Sequence, residues 1–222
     1  MTTTMSERPS ILVLISGNGT NLQALIDGSE SGRIPGQITH VISSSSKAYG
    51  LKRAAKANIP TTVHNLRKYY NGIPKEDKEA RIKARAQFDK DLADIILNKI
   101  GKPSLIVCAG WMLILSPEFL NPLSKAKVPI INLHPALPGA FEGTHAIERS
   151  WEAGQKGIVS KGGCMIHYVI QEVDRGEPLV VKEIPVIKGE SCDGFEARIH
   201  AEEHAAIVEG TVKVLNILAN KS

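Results

Sequence analysis

The chain of 222 residues has an ordinary composition, with 42% hydrophobic residues, 23% charged residues and a formal net charge of +4. This balance excludes a disordered tail, a coiled coil and a collagen-like repeat, each of which needs a strongly skewed composition. The charge is too small to indicate nucleic-acid binding, which would need a basic patch, whereas a small anionic ligand is compatible with it.

Short apolar runs alternate with longer amphipathic segments, which is typical of βαβ units and predicts an α/β fold with a mostly parallel sheet flanked by helices. The predicted elements, in chain order, are a strand at 11–15, a helix start at 21–26, a strand at 38–42, a helix at 49–57, a strand at 61–64, a long exposed helix within 74–100, strands at 105–109 and 128–133, a helix at 146–153, strands at 164–170 and 179–186, and a helix at 195–218. The long helix is predicted from the near-helical spacing of Ile82, Phe88, Leu92 and Ile96.

Residues 1–10 are polar and are expected to form a flexible N-terminus without a secretory signal. No apolar run reaches the roughly 18 residues that span a bilayer. The three cysteines, Cys108, Cys164 and Cys192, match neither a disulfide framework nor a CxxC site, so we expect reduced, buried thiols. Together these features predict a soluble, cytoplasmic protein with no membrane association and a single domain at 11–222.

A glycine-rich segment, SGNGTN at 16–21, lies between the first predicted strand and the first predicted helix. Its glycines allow a tight turn close to a ligand, and the free N–H groups at a helix N-terminus bind anions. The segment lacks the third glycine of a dinucleotide-binding motif, and serines stand at 43–46 where that motif needs an acidic residue. A phosphate monoester is the expected ligand, and a turn that only caps the helix is the alternative.

The fifth predicted strand places Asn132 and His134 on one side at its carboxyl end, where open α/β sheets bind ligands. An amide can stabilise an oxyanion, and an imidazole titrates near neutral pH. A structural histidine beside a loop-holding asparagine fits the pattern nearly as well. Asp174 would favour the imidazolium and orient the ring if it reached His134, although a turn aspartate often bonds only its own backbone.

His200 and His204 share a face of the last predicted helix, which is the spacing of a zinc-protease motif. That motif needs glutamate directly after the first histidine, and Ala201 stands there. We therefore expect no metal site.

Five segments carry a resemblance to the phosphoribosylglycinamide formyltransferase family, the folate-dependent enzymes of the third step of purine synthesis. They are ISGNGTN at 15–21, AGWMLILSP at 109–117, NLHPALPG at 132–139, HYVI at 167–170 and EVDRG at 172–176. The resemblance extends from about residue 11 to residue 218, and HPALPGAFEGTH at 134–145 is similar to the fungal monofunctional form. It implies a Rossmann-like formyltransferase fold.

The resemblance implies transfer of a formyl group from the cosubstrate 10-formyltetrahydrofolate to the amine of 5′-phosphoribosylglycinamide, by a monomer or homodimer that uses no metal and binds no nucleic acid. The implied catalytic residues are Asn132, His134 and Asp174. The implied ribonucleotide-binding residues are Gly19, Thr20, Asn21, His200, Ala201, Glu202 and Glu203. The implied folate-binding residues are Arg85, Met112, Leu113, Ile114, Leu115, Asn132, Ile170, Gln171, Glu172, Val173 and Asp174, with Arg85 beside the anionic tail.

The N-terminal part of the domain would thus bind the nucleotide, and the C-terminal part would bind folate and carry the catalytic residues. Departures from the family pattern are Leu113, where many bacterial members have arginine, the serines at 43–46, the loop at 135–145 and a few extra residues between Leu115 and Asn132.

Two rival functions remain. A formyltetrahydrofolate hydrolase would share Asn132, His134 and Asp174, but its acceptor is water and it has no use for a phosphate-binding segment. A catalytically silent folate- or nucleotide-binding module is the other. A methionyl-tRNA formyltransferase would need an added RNA-binding domain, for which 222 residues leave no room.

Overall fold

A single seven-stranded sheet runs through the computed structural model, which describes residues 8–221. Its strands are β1 (Ser10–Ile15), β2 (Gln37–Ser43), β3 (Thr61–Val63), β4 (Leu105–Cys108), β5 (Ile130–His134), β6 (Lys161–Tyr168) and β7 (Pro178–Pro185). The spatial order is β3-β2-β1-β4-β5-β6-β7. Strands β1 to β5 pair in parallel, whereas β6 pairs antiparallel with both β5 and β7. The predicted α/β fold with a mostly parallel sheet is confirmed.

Seven α-helices flank the sheet in the described part of the chain. They are α1 (Thr20–Glu30), α2 (Gly50–Lys56), α3 (Leu66–Tyr69), α4 (Lys78–Asp94), α5 (Pro117–Lys125), α6 (Ala146–Gln155) and α7 (Cys192–Ala219). A π-helical segment, Ile95–Gly101, continues α4. Helices α3 and α5 were not predicted from the sequence. Helix α3 has only four residues, and Pro122 inside α5 interrupts the helical pattern.

Strand β1 lies inside the sheet between β2 and β4 and is buried on both faces, which explains its continuous apolar run. One face, with Ile11 and Val13, contributes to a core that includes buried residues of α1 and α7. The other face, with Leu12 and Leu14, packs in a second core with buried residues of α4 and α5. Because β1 is buried on both faces, it holds the start of the glycine-rich segment in a fixed position.

Helix α4 is buried only in its second half. Phe88 and Leu92 are fully buried, and so is Ile96 in the π-helical continuation, as their spacing predicted. Ile82, which belongs to the same near-helical pattern, is 68% exposed. The buried residues of α4 begin at Phe88, which shows that the first turns of the helix extend beyond the core.

Residues 8–10 of the predicted flexible N-terminus contact the rest of the protein, while residues 1–7 lie outside the described residues. The Arg8 guanidinium donates hydrogen bonds to the carbonyls of Ser29, Ile34 and Gly36, at 3.1, 3.1 and 2.8 Å. Ser10 already belongs to β1. The start of the described chain is therefore anchored to the turn that follows α1.

The three cysteines are free thiols, and Cys108 and Cys164 are buried as expected. Cys192 is only partly buried, because it is the first residue of α7 and lies at the edge of the core. Within residues 8–221, no helix has both the length and the apolar character needed to cross a membrane.

Candidate functional site

The strand order reverses between β1 and β4. Strands β2 and β3 lie on one side of β1, whereas β4 and β5 lie on the other side. Open α/β sheets bind ligands in the crevice at the carboxyl ends of strands at such a point. A cavity of about 370 Å³ lies here. The predicted site residues that line it are Asn21, Met112, Leu113, Ile114, Leu115, Asn132, His134, Ile170, Glu172, Val173, Asp174, His200 and Glu203.

Six of the predicted residues, all within the described part of the chain, do not line this cavity. They are Gly19, Thr20, Arg85, Gln171, Ala201 and Glu202. Thr20 and Ala201 instead line a second cavity of about 500 Å³ between α1, α2 and α7. Gln171 donates a hydrogen bond to the Asn121 side chain at 3.2 Å. Of the predicted nucleotide residues, Asn21, His200 and Glu203 thus line the first cavity, Thr20 and Ala201 line the second, and Gly19 and Glu202 line neither.

The side chain of Asn132 is oriented by His167, a residue to which sequence analysis gave no role. The two residues pair across the antiparallel β5–β6 ladder, and Asn132 Nδ2 lies 3.1 Å from His167 Nε2. His167 Nδ1 lies 2.9 Å from the Tyr168 carbonyl, which can only accept a hydrogen bond. In a neutral ring Nε2 then carries the lone pair and accepts a bond from the Asn132 amide.

His167 is held in that neutral form by its surroundings. Burial lowers the pKa of His167, and the opposing effects of the Tyr168 main chain and of Asp174 do not outweigh it. The neutral ring fixes the Asn132 amide with one N–H turned to His167, and the second N–H of that group remains for a ligand.

His134 and Asp174, which are far apart in the sequence, meet at the cavity. His134 Nδ1 lies 3.4 Å from Asp174 Oδ2, and the two side chains are only 5% and 10% exposed. His134 Nε2 is buried and has no hydrogen-bond partner among residues 8–221. The contact leaves the second ring nitrogen available to a bound molecule.

The protonation expected for His134 needs a correction. Burial lowers the pKa of His134 below its ordinary 6.5, and the raising effects of Asp174 and of the Phe141 main chain do not reverse this. Asp174 acts in the expected direction, but desolvation of the buried ring is the larger effect. At neutral pH the imidazole of the ligand-free protein is therefore uncharged, not the imidazolium that the sequence analysis expected.

Asp174 is fixed by the loop between β5 and α6, here called the β5–α6 loop (residues 135–145). The Gly143 N–H donates a hydrogen bond to Asp174 Oδ2 at 2.9 Å. Asp174 itself has a φ of 57°, in the left-handed region that asparagine and aspartate tolerate best. Asp174 belongs to the loop between β6 and β7, here called the β6–β7 loop (residues 169–177).

A buried pair, Asn21 and Glu203, forms another wall of the cavity. Asn21 Nδ2 donates to Glu203 Oε2 at 3.2 Å, and Glu203 is 4% exposed. Burial raises the pKa of Glu203, whereas the Asn21 hydrogen bond and nearby His200 lower it. Asn21 Oδ1 is buried without a partner in the described chain. The pair offers polar atoms to a ligand that bridges α1 and α7.

The glycine-rich segment is positioned by close backbone packing. Gly19 has a φ of 77°, and a Cβ atom on it would lie 2.6 Å from the Gly50 Cα at the start of α2. The Gly50 N–H donates to the Gly17 carbonyl at 3.2 Å. Arg53 donates to the carbonyl and side-chain oxygens of Asn18, at 3.1 and 3.0 Å. Gly19 immediately precedes α1, so the segment presents free helix N–H groups.

The segment predicted to hold the folate ring is apolar and open. Met112 is 70% exposed and Ile114 is 64% exposed. The Met112 N–H donates to Ser16 Oγ at 2.9 Å, which ties this segment to the glycine-rich segment. Exposed apolar side chains beside a cavity are typical of a binding surface for a flat apolar ligand.

Arg85 does not serve as a free cation beside this cavity. Its Nε donates to Asp89 Oδ2 at 2.9 Å, and Asp89 is completely buried. Its Nη2 donates to the Ile114 carbonyl. The ion pair compensates the buried Asp89 carboxylate, and the bond to Ile114 ties Arg85 to the Met112–Ile114 segment, while the contact of Arg85 with an anionic tail stays a prediction.

Among the described residues, the cavity offers neither a reactive thiol nor a metal centre. Cys108 lines the cavity, but burial raises the pKa of its thiol to about 12, which keeps it protonated. No group of three or more His, Cys, Asp or Glu residues within 8–221 is arranged to hold a metal ion. The polar groups gathered around His134 are the Asn132 amide and the Asp174 carboxylate.

Comparison with known proteins covers almost the whole of the described chain. Residues 10–211 match the family model described as "Formyl transferase". The Saccharomyces cerevisiae phosphoribosylglycinamide formyltransferase is 56% identical, with 94% of this chain and 98% of the relative covered. The Schizosaccharomyces pombe protein of that name is 49% identical, with 93% and 97% covered. The crystal structure of glycinamide ribonucleotide transformylase 1 from Symbiobacterium toebii has a TM-score of 0.78 at 34% identity, covering 94% and 88%.

Proposed function

Since the chain belongs to the formyl transferase family, and to its phosphoribosylglycinamide formyltransferases, we propose that it transfers the formyl group of 10-formyltetrahydrofolate to the amine of 5′-phosphoribosylglycinamide in purine biosynthesis. One observation carries the proposal. Asn132, His134 and Asp174 meet at a cavity whose wall includes Asn21, at the end of the glycine-rich segment. A formyl donor and a phosphorylated acceptor can therefore occupy adjoining parts of one site.

The phosphate of the acceptor is assigned to the start of α1. The free N–H groups of Gly19, Thr20 and Asn21 are uncharged donors at the positive end of an 11-residue helix. The ribose and glycinamide would then extend toward His200 and Glu203 in α7, with Ala201 and Glu202 on the same turn. Thr20 and Ala201 line the second cavity, which supports a position of the phosphate between the two cavities.

The folate ring is assigned to the slot between the segment 112–115 and the β6–β7 loop. Both segments line the cavity, and both have exposed apolar side chains, among them Met112, Ile170 and Val173. Main-chain groups of these segments can hold the polar edge of the ring, so that Leu113 in place of an arginine leaves the slot intact. With both substrates held, the reaction loses much of its entropic barrier.

The transfer requires a proton to move from the attacking amine to the folate leaving group. The amine nitrogen forms a bond to the formyl carbon, and the carbonyl electron pair moves to oxygen. Neutral His134 accepts the amine proton at Nε2, and the resulting imidazolium is stabilised by Asp174. The free N–H of Asn132 donates to the oxyanion. The intermediate then collapses, the bond from carbon to N10 of folate breaks, and His134 returns the proton to N10.

The remaining expectations accompany this proposal. The protein would act in the cytoplasm on small molecules, as a monomer or homodimer, without nucleic acid or a metal. The first part of the domain 11–222 would bind the nucleotide, and the second part would bind folate and supply the reacting groups.

The proposal is tested by following folate absorbance after mixing the protein with 10-formyltetrahydrofolate, with and without the ribonucleotide. A change only in the presence of the ribonucleotide is expected. A change without it would instead identify a hydrolase, and no change in either mixture would identify a binding module. The variant His134→Ala serves as the control for non-enzymatic decay of the donor.

A further inference from the structure

We propose that Glu142 and Arg175 are positioning residues whose ion pair ties the β5–α6 loop to the β6–β7 loop and holds Asp174 against His134. This inference rests on the proposed function, in which Asp174 stabilises the charged form of His134. Neither residue belongs to the predicted site. Both loops line the cavity, and each supplies one member of the pair.

The ion pair has the geometry of a two-point contact. Arg175 Nε lies 3.0 Å from Glu142 Oε1, and Arg175 Nη2 lies 3.5 Å from Glu142 Oε2. A guanidinium that meets both oxygens of a carboxylate fixes orientation as well as distance. The pair therefore restrains both the separation of the loops and their relative rotation.

Each member of the pair is adjacent in sequence to a group that determines the position of the Asp174 carboxylate. Arg175 follows Asp174, and Glu142 precedes Gly143, whose N–H donates to Asp174 Oδ2 at 2.9 Å. The same oxygen lies 3.4 Å from His134 Nδ1. Two contacts from neighbouring residues thus join the loops. One is the ion pair between Glu142 and Arg175, and the other is the hydrogen bond from Gly143 to the Asp174 carboxylate.

The β5–α6 loop needs such restraint because its backbone is strained. Phe141 has a φ of 50°, and a left-handed conformation at a bulky residue is costly and persists only where the surroundings hold it. Arg149 in α6 donates to the carbonyls of Phe141 and Glu142, at 2.7 and 2.6 Å. These hydrogen bonds anchor the β5–α6 loop to α6. The ion pair of Glu142 with Arg175 connects the same loop to the β6–β7 loop, which carries Asp174.

The exposure of the Glu142–Arg175 ion pair indicates that it positions the two loops and does not stabilise the fold. The Arg175 and Glu142 side chains are 66% and 37% exposed. Exposed ion pairs contribute little to the stability of a fold. A change of the pair should therefore leave thermal unfolding nearly unchanged and should act on the rate of the chemical step.

The experiment is a double-mutant cycle with Glu142→Gln, Arg175→Gln and the double variant, assayed for kcat and for both KM values. Each single variant should lose about three- to fivefold in kcat, the range that an exposed ion pair supports, with both KM values within about twofold. The double variant should lose no more than either single variant, because the second change removes an interaction that is already absent. Losses that multiply, or values of kcat within twofold of the wild type, would overturn the proposal.

The matched control is the exposed pair of Lys161 and Glu183, which joins β6 to β7 at 2.5 Å and is 53% and 56% exposed. Lys161→Gln should leave kcat unchanged. A loss of kcat in this variant equal to that of Arg175→Gln would show that any change in the hairpin slows the enzyme, and would overturn the assignment.

A second readout separates this proposal from the proposed function. Exchange of the Gly143 amide hydrogen, followed by NMR, should be faster in Arg175→Gln than in the wild type, because its bond to Asp174 is less well held. This measurement needs no substrate. If the wild-type protein transfers no formyl group, the proposed function fails, and unchanged exchange at Gly143 would independently refute the positioning role.

Discussion

The two sides of the cavity hold their functional groups by different means. On the nucleotide side, Gly19 packs against Gly50 so closely that no side chain fits between them. On the side of the reacting groups, Asp174, His134, His167 and Asn132 are held by hydrogen bonds and charges. A phosphate-binding turn needs one fixed backbone shape, whereas proton transfer needs groups that change charge. Substitutions on the two sides should therefore affect different kinetic constants.

The largest effect is expected on the charged side. His134→Ala removes the group that carries the proton, and general acid–base catalysis of this kind contributes about 10²- to 10⁴-fold. We expect kcat to fall by that factor while both KM values stay within a fewfold, measured by steady-state kinetics. His40→Gln, on β2, is the control histidine and should be unaffected. A loss of less than tenfold in kcat for His134→Ala would remove His134 from the mechanism.

A smaller and different effect is expected on the packed side. Gly19→Ala would place a Cβ atom 2.6 Å from the Gly50 Cα in a residue with a φ of 77°, so the segment must shift. We expect the KM for the ribonucleotide to rise about tenfold, since a hydrogen bond to a charged group is worth about 1.5–3 kcal/mol. Gly17→Ala is the matched control, because a Cβ atom on Gly17 would meet nothing within 4 Å. Equal effects of the two variants would contradict the role of packing.

The pH dependence of kcat/KM should also distinguish the two sides of the cavity. Because His134 must be neutral to accept a proton, kcat/KM should fall about tenfold per pH unit as pH drops below the lowered pKa of His134. Asp174 raises this pKa, so Asp174→Asn should move the acid limb to still lower pH as well as slowing transfer. Gly19→Ala should leave the limb in place. A shift of the limb to higher pH in Asp174→Asn would be inconsistent with the geometry.

The smallest expected effect concerns Glu203, whose pKa is raised by burial from its ordinary 4.5. A carboxyl group with a raised pKa in the folded state binds its proton more tightly there, so ionisation reduces stability as pH rises through that range. Glu203→Gln keeps an oxygen that can accept the Asn21 hydrogen bond. We expect its Tm to exceed that of the wild type by about 2–4 °C at pH 8, which corresponds to about 1 kcal/mol. The difference should vanish near pH 4, and a lower Tm at both pH values would refute this account.

Much of the fold followed from local patterns in the sequence. The continuous apolar run of β1 predicted a strand buried on both faces, and alternation along β5 placed Asn132 and His134 on one side. His167 was missed because its contact with Asn132 depends on the register of the β5–β6 ladder. Such a register is a tertiary property that no local spacing records.

Two features of the site differ in how far the sequence indicates them. The ion pair of Arg85 could have been anticipated from the sequence, because Asp89 lies one helical turn later. The charge of His134 could not have been inferred, since it depends on a balance between burial and the field of Asp174. Sequence patterns identify candidate groups, but their protonation is set by packing.

The reversal of strand direction at β6 has a mechanical consequence. The parallel strands end at β5, and the hairpin of β6 and β7 joins them through a single antiparallel ladder. His167 and Asp174 both reside in that hairpin unit, within residues 161–185. Two of the four polar groups around the reaction centre thus belong to one hairpin, so a displacement of the hairpin would move both of them together relative to Asn132 and His134 on β5.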